Sequence, residues 1–95
     1  MQGFDAETAA RVIAENAVDA FMRERVGALG LKPGAREAAI GATMLELMGV
    51  LPSDDSVRLA AACNRGLEVL IQMGVSGPCV EGVDPDDGSV TMQVM

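Results

Sequence analysis

The stretch Ala38–Leu51, AAIGATMLELMGVL, decides the fold, because it has no polar face and Glu46 is its only charge. Wound as a helix, it points apolar side chains in every direction. A helix that is apolar all round is buried, either in a domain core or in an interface between subunits. We therefore expect a buried central helix that favours self-association. Its glycines, Gly41 and Gly49, cost helix stability and are typical of close approach by a neighbouring backbone.

Two further helices are predicted on either side of this stretch. Apolar residues recur at three- and four-residue spacing from Ala6 to Phe21 and again from Leu59 to Met73. These patterns place helix 1 at about 5–29, helix 2 at about 35–50 and helix 3 at about 54–73.

Start and stop signals support these helices. Pro33 is suited to the first position of helix 2, and Ser53 can cap helix 3. Gly74 followed by Val75 is typical of a helix that ends on a left-handed glycine with an apolar residue after it. Gly30 followed by Leu31 repeats the same signal after helix 1.

The C-terminal part changes from helical to alternating periodicity. Three apolar residues alternate with three polar ones, namely Val90, Met92 and Val94 with Ser89, Thr91 and Gln93. Residues 78–83 can form the paired strand, and Asp84–Gly88 (DPDDG) is turn-forming. The pattern predicts a β-hairpin at about 78–94, which must pack on the helices or on another chain because a lone hairpin is marginal. The fold class is therefore mostly α, a single domain over residues 1–95 with three helices and a C-terminal β-hairpin.

The charge balance excludes several classes of function. The net charge is −7 at pH 7, so a phosphate backbone would be repelled and direct nucleic-acid binding is not expected. The apolar helix is shorter than the ~20 residues that cross a bilayer, and the N-terminal residues lack the features of a signal peptide. We expect a cytoplasmic protein whose partner is another protein, with a basic surface as one possibility.

No residue pattern calls for a cofactor, a metal or a catalytic group. The chain has no histidine, which removes the usual general base and the commonest transition-metal ligand. Cys63 lies on the apolar face of helix 3 and is expected to be a buried core residue, whereas Cys79 begins the hairpin. The acidic turn lacks the bidentate glutamate that a calcium loop needs at its twelfth position, where Met95 stands.

Asp55-Ser56-Val57 resembles the Asp-Ser-Leu site of acyl carrier proteins, in which a serine at a helix start carries phosphopantetheine. The resemblance implies a carrier protein modified at Ser56. The family's glycine two residues before the aspartate is Ser53 here. The acidic helix expected after the serine instead contains Arg58 and Arg65. Helix capping accounts for the motif without a carrier function.

Glu46 is the residue on which an enzymatic alternative depends. A carboxylate buried in the apolar helix would have a raised pKa and would need a partner, as a general acid or base does. We expect instead that Glu46 lies at an edge or pairs with an arginine.

The sequence favours a small acidic, non-enzymatic protein–protein interaction module that forms a homodimer and binds a partner as an adaptor, assembly factor or inhibitor. The candidate interface residues are Met44, Leu47, Met48, Leu51, Val90, Met92 and Val94. The candidate acidic residues facing a basic partner are Glu81, Asp84, Asp86 and Asp87. An alternative of the same type is a phage-encoded acidic inhibitor of a nucleic-acid-binding defence complex, for which these four carboxylates would mimic phosphates.

Overall fold

A computed structural model describes residues 5–24, 33–51 and 53–93, which form three helices followed by a hairpin. The elements are α1 (Ala6–Arg23), α2 (Ala35–Met48), α3 (Ser56–Gln72), β1 (Cys79–Val83) and β2 (Val90–Gln93). The predicted mostly α fold with a C-terminal hairpin is confirmed.

Helix α1 begins at an aspartate cap and buries its alanine-rich face. The Asp5 carboxylate accepts a hydrogen bond of 3.0 Å from the backbone N–H of Glu7, which satisfies a free donor of the first turn. The buried face runs from Ala10 to Phe21, as the periodicity predicts. The helix ends at Arg23, and the predicted helical residues 25–29 and the stop signal at 30–31 lie outside the described residues.

Helix α2 begins later than the proline signal indicates. Gly34 is the N-terminal cap, with a φ of 90°, and its carbonyl accepts the backbone N–H of Ala38 at 2.9 Å. Pro33 therefore precedes the cap. The prediction that Pro33 is the first residue of the helix is wrong. A left-handed cap requires a residue without Cβ, which explains why glycine and not proline stands at the boundary.

Helix α3 begins two residues later than expected. Asp55, not Ser53, caps it, since the Asp55 carboxylate accepts from the backbone N–H groups of Val57 and Arg58 at 2.9 and 3.2 Å. The Ser53 hydroxyl accepts the backbone N–H of Asp55 at 3.0 Å, one step upstream of the helix. Ser53, Asp54 and Asp55 are all residue types that can cap, so composition alone does not select among them.

The end of α3 follows the predicted glycine motif. Gly74 has a φ of 86°, and its N–H donates to the carbonyl of Ile71 at 2.9 Å. The N–H of Val75 donates to the carbonyl of Leu70 at 3.1 Å, and the Val75 side chain is buried. This pair of bonds satisfies the free carbonyls of the last turn and turns the chain towards the hairpin.

The hairpin is antiparallel and carries a bulge. Val80 pairs with Met92 while Gly82 pairs with Thr91, which leaves Glu81 as the extra residue on β1. The bulge shifts the alternation by one residue, so that Val80 and Val83 both face the core.

The hairpin packs on the helices through side chains that bind its backbone. The amide of Asn64 on α3 donates to the carbonyl of Val80 at 3.0 Å and accepts its N–H at 2.8 Å. Asn16 on α1 donates to the carbonyl of Gly88 at 2.6 Å. The hairpin is therefore covered by helices of its own chain on its inner face.

The close approach of two helices occurs at Gly66 on α3. A Cβ on this residue would lie 2.3 Å from the Cα of Thr43 on α2. The expectation that Gly41 and Gly49 permit close approach is wrong. Among the described residues, no atom beyond the adjacent backbone of its own helix lies within 4 Å of a Cβ built on Gly41, and at Gly49 the nearest atom is the carbonyl oxygen of Glu46 in the same helix.

Candidate functional site

Helix α2 has two apolar faces with opposite surroundings. Its inner face is buried against the other helices and consists of Ala35, Ala39, Ile40, Thr43 and Leu47. Its exposed outer face consists of Ala38, Gly41, Leu45 and Met48, and we refer to these four residues as the outer face. Within one chain, the helix is therefore buried along one side only.

The outer face carries two exposed large apolar side chains. Leu45 is 77% exposed and Met48 is 45% exposed. The spacing of three, four and three residues sets the four residues in one stripe along the helix. This is the spacing of the positions that contact a partner helix in a coiled coil. Contiguous exposed apolar residues of this kind mark interaction sites on proteins.

The charged residues next to the outer face are paired within the chain. Arg36 binds Asp19 on α1 through two bonds of 2.7 and 3.1 Å, and it also contacts Glu37 at 3.0 Å. The Arg36 guanidinium lowers the pKa of Asp19 below its ordinary value, because it donates hydrogen bonds to the ionised carboxylate. These contacts join α1 to α2 and pair Arg36 and Glu37, the two charged residues in the first turn of α2.

Glu46 forms the ion pair that we expected. Its carboxylate lies 2.7 Å from Nε of Arg65 on α3, and the two side chains are 43% and 53% exposed. A carboxylate this exposed is hydrated and paired, so it does not have the surroundings of a buried acid or base.

The predicted interface residues lie in three different environments. Leu47 is fully buried in the core, whereas Met48 is exposed on the outer face. The half-buried candidates, which pack against the core, are Met44, Leu51, Val90 and Met92. Val94 lies outside the described residues. Of the described candidates, Met48 is thus the one whose side chain is largely available to another molecule.

Sequence reasoning missed Leu45, the most exposed large apolar residue among those described. The reason is that α2 is apolar on both faces, so its periodicity does not distinguish inside from outside. Residue size gives no signal either, since the inner face combines Ala39 with Leu47 and the outer face combines Ala38 with Leu45.

The four predicted acidic residues are all exposed around the hairpin turn. Two of them stabilise the turn itself. The Asp84 carboxylate accepts the backbone N–H of Asp86, and the Asp87 carboxylate accepts that of Ser89, both at 2.8 Å. The hydrogen bond from the backbone of Ser89, followed by that from its side chain, lowers the pKa of Asp87. Turn formation therefore accounts for these two carboxylates without a basic partner.

The two cysteines are in different environments, as predicted. Cys63 is fully buried, and desolvation raises the pKa of its thiol to about 12. Cys79 is exposed, and its Sγ donates to Oε1 of Gln93 at 2.8 Å. Within the described ranges, no three cysteine or acidic side chains come together in a way that could hold a metal ion.

The Ser56 hydroxyl connects α3 to the hairpin. Its Oγ accepts the backbone N–H of Val83 at 2.8 Å, and the residue is half-buried. A Cβ on Gly82 would lie 2.8 Å from the same Oγ, which shows how closely β1 approaches the helix start. A structural function, the attachment of β1 to the start of α3, explains this serine.

Comparison of the chain with protein-family models, curated proteins and solved structures found no match. No helix in the described part of the chain has both the length and the apolar character needed to cross a membrane. The function therefore has to be inferred from the outer face of α2 and the groups around it.

Proposed function

We propose that this chain is a small acidic, non-enzymatic protein–protein interaction module. It forms a homodimer and acts in the cytoplasm by binding a partner protein as an adaptor, assembly factor or inhibitor. The observation that carries this proposal is the outer face of α2, on which Leu45 is 77% exposed without a charged residue in the stripe.

The surroundings of the chemically competent groups support a binding function over catalysis. Glu46 is paired with Arg65 in an exposed position, and the Cys63 thiol is buried with a raised pKa. The hydroxyl of Ser56 accepts a backbone N–H of the hairpin. Each of these groups thus has a structural explanation.

Affinity capture with the full chain tests the proposal. The wild type is compared with Leu45→Lys and with Val57→Lys, a matched control because Val57 is also an exposed apolar residue, 69% exposed on α3. We expect a partner that the wild type and the control retain and that Leu45→Lys loses. Equal retention by all three proteins would show that the outer face does not bind the partner. Denaturing mass spectrometry of the same sample checks for an attached phosphopantetheine, which would contradict the proposal.

A further inference from the structure

The side-chain sizes on the outer face allow two copies of the helix to fit together. It begins with two small residues, Ala38 and Gly41, and ends with two large ones, Leu45 and Met48. A second copy of the helix running in the opposite direction brings large residues over small ones. Gly41 then lies opposite the Leu45 of the other copy, and Ala38 lies opposite its Met48.

All four residues can pair in this one register. The midpoint between positions 41 and 45 and the midpoint between positions 38 and 48 both fall at residue 43. A parallel arrangement would instead place Leu45 against Leu45 and Gly41 against Gly41, which leaves a gap at one end while crowding the other. Interdigitation of large and small residues permits the short interaxial distances, about 8–10 Å, at which helices pack. Opposed helix dipoles add a small further preference for the antiparallel arrangement.

From this complementarity we propose that the outer faces of two copies pack antiparallel about a two-fold axis near residue 43, with Leu45 of each copy seated on Gly41 of the other. This inference rests on the proposed function and identifies one partner of the outer face as a second copy of the chain. A two-fold contact of this kind closes on itself and gives a dimer, not a filament.

The charges around the outer face are compatible with a second copy. Each chain carries a net charge of −7, so two copies repel at long range. The contact itself avoids that repulsion, because Glu37 is within 3.0 Å of Arg36 and Glu46 is within 2.7 Å of Arg65 in the same chain. Added salt should therefore leave the dimer unchanged or strengthen it, whereas it would weaken binding to a basic protein.

The size of the contact predicts how strong the dimer is. Helix α2 has 14 residues and is about 21 Å long. The outer face contributes four residues from each copy, far fewer than the roughly 20–30 residues a side of stable interfaces. We therefore expect a weak, rapidly reversible dimer that depends on protein concentration.

Charge exchange across the contact tests this arrangement by analytical ultracentrifugation of the full chain. Ala38→Glu and Met48→Lys each place a charge against an apolar residue and should weaken the dimer about tenfold or more. The double variant A38E/M48K should recover affinity to within about threefold of the wild type, because each new carboxylate faces a new ammonium of the other copy. The two positions are about 15 Å apart along one helix, so they cannot pair within a chain.

Each other result would overturn the inference in its own way. In a parallel dimer, the double variant would be weaker than either single variant, because like charges would face each other. If neither single variant weakens the dimer, the copies associate through another surface. A wild type that stays monomeric at millimolar concentration would exclude the self-contact. In that case the capture experiment with Leu45→Lys still decides whether the outer face binds a different protein, so the two proposals can fail separately. Val57→Lys serves as the control that should leave the dimer unchanged.

Discussion

Thr43 and Gly66 mark the point at which the backbones of α2 and α3 touch. A Cβ on Gly66 would lie 2.3 Å from both the Cα and the Oγ1 of Thr43, so no side chain fits between them. Thr43 is fully buried, and its hydroxyl donates to the carbonyl of Ala39 at 2.8 Å. Glycine at position 66 therefore permits the close approach of the two helices on the side of α2 that carries Thr43, its inner face.

We expect Gly66→Ala to destabilise the protein by about 2–3 kcal/mol, because the new methyl group meets the backbone of Thr43 and the helices must separate. This loss exceeds the roughly 1 kcal/mol that alanine gains over glycine in helix propensity. Urea unfolding followed by circular dichroism measures the change in the free energy of unfolding.

Gly41→Ala is the matched control, because a Cβ at Gly41 meets no atom within 4 Å. Here the propensity term acts alone, and the free energy of unfolding should rise by about 0.5–1 kcal/mol. The comparison is made at low micromolar concentration, so that self-association does not contribute. A similar response of both glycines would show that α2 and α3 lie farther apart than described.

Ser56→Ala should destabilise the hairpin by about 1–2 kcal/mol, because the N–H of Val83 loses the hydroxyl acceptor 2.8 Å away. Hydrogen exchange of the Val83 amide should accelerate by the corresponding factor. Ser53→Ala is the control, because Ser53 accepts a hydrogen bond from the exposed Asp55 and its loss should change stability by less than about 0.5 kcal/mol. An unchanged Val83 exchange rate in Ser56→Ala would contradict the structural function assigned to this hydroxyl.

The parts of the fold that depend on local pattern could be predicted from the sequence. The end of α3 at Gly74 and Val75 follows from backbone chemistry within six residues. The alternation of Val90 and Met92 identifies β2 for the same reason, since side chains of a strand point to opposite faces in turn.

Features of the fold that depend on the packing of one helix against another could not be predicted from local sequence patterns. Gly66 falls within the apolar periodicity of helix 3, but only the pairing of α3 with α2 shows that it accommodates the Thr43 backbone. In the same way, the exposure of Leu45 depends on where α1 and α3 lie around α2. The sequence of α2 does not reveal this, because the helix is apolar on both its inner and its outer face. The choice of Asp55 over Ser53 as the cap is tied to the hairpin, because starting the helix at Ser56 brings this hydroxyl to Val83.

The Asp19–Arg36 pair predicts a specific dependence of stability on pH. The folded state lowers the pKa of Asp19 below the model-peptide value near 3.8, so the pair stabilises the protein above that value and its contribution is lost as the pH falls through the lower, folded pKa. Both side chains are nearly half exposed, so solvent screening limits the effect to about 1 kcal/mol or less.

Asp19→Asn should therefore lower the free energy of unfolding at pH 7 and have a smaller effect at pH 2, because protonation of the wild-type carboxyl reduces the charge difference between the two proteins. Urea unfolding at the two pH values measures the difference. Arg36→Gln should have a similar effect at pH 7, and the double variant should lose little more than either single variant, because the interaction is already absent. A constant effect of Asp19→Asn at both pH values would show that the carboxylate acts through packing and not through its charge.

The cysteines provide a test of how tightly α3 is packed. In the native protein at pH 8, a thiol-alkylating reagent should modify Cys79 and leave Cys63, because the Cys63 thiol is buried and its pKa of about 12 keeps it protonated. Intact-mass spectrometry should show one added group per chain, and a second should appear only in denaturant. Cys79→Ser should leave the native protein unlabelled, since Cys79 is the exposed thiol. If Cys63 reacted without denaturant at a rate similar to that of Cys79, the inner face of α3 would have to open to solvent. The placement of α2 against α3, on which the position of the outer face depends, would then no longer hold.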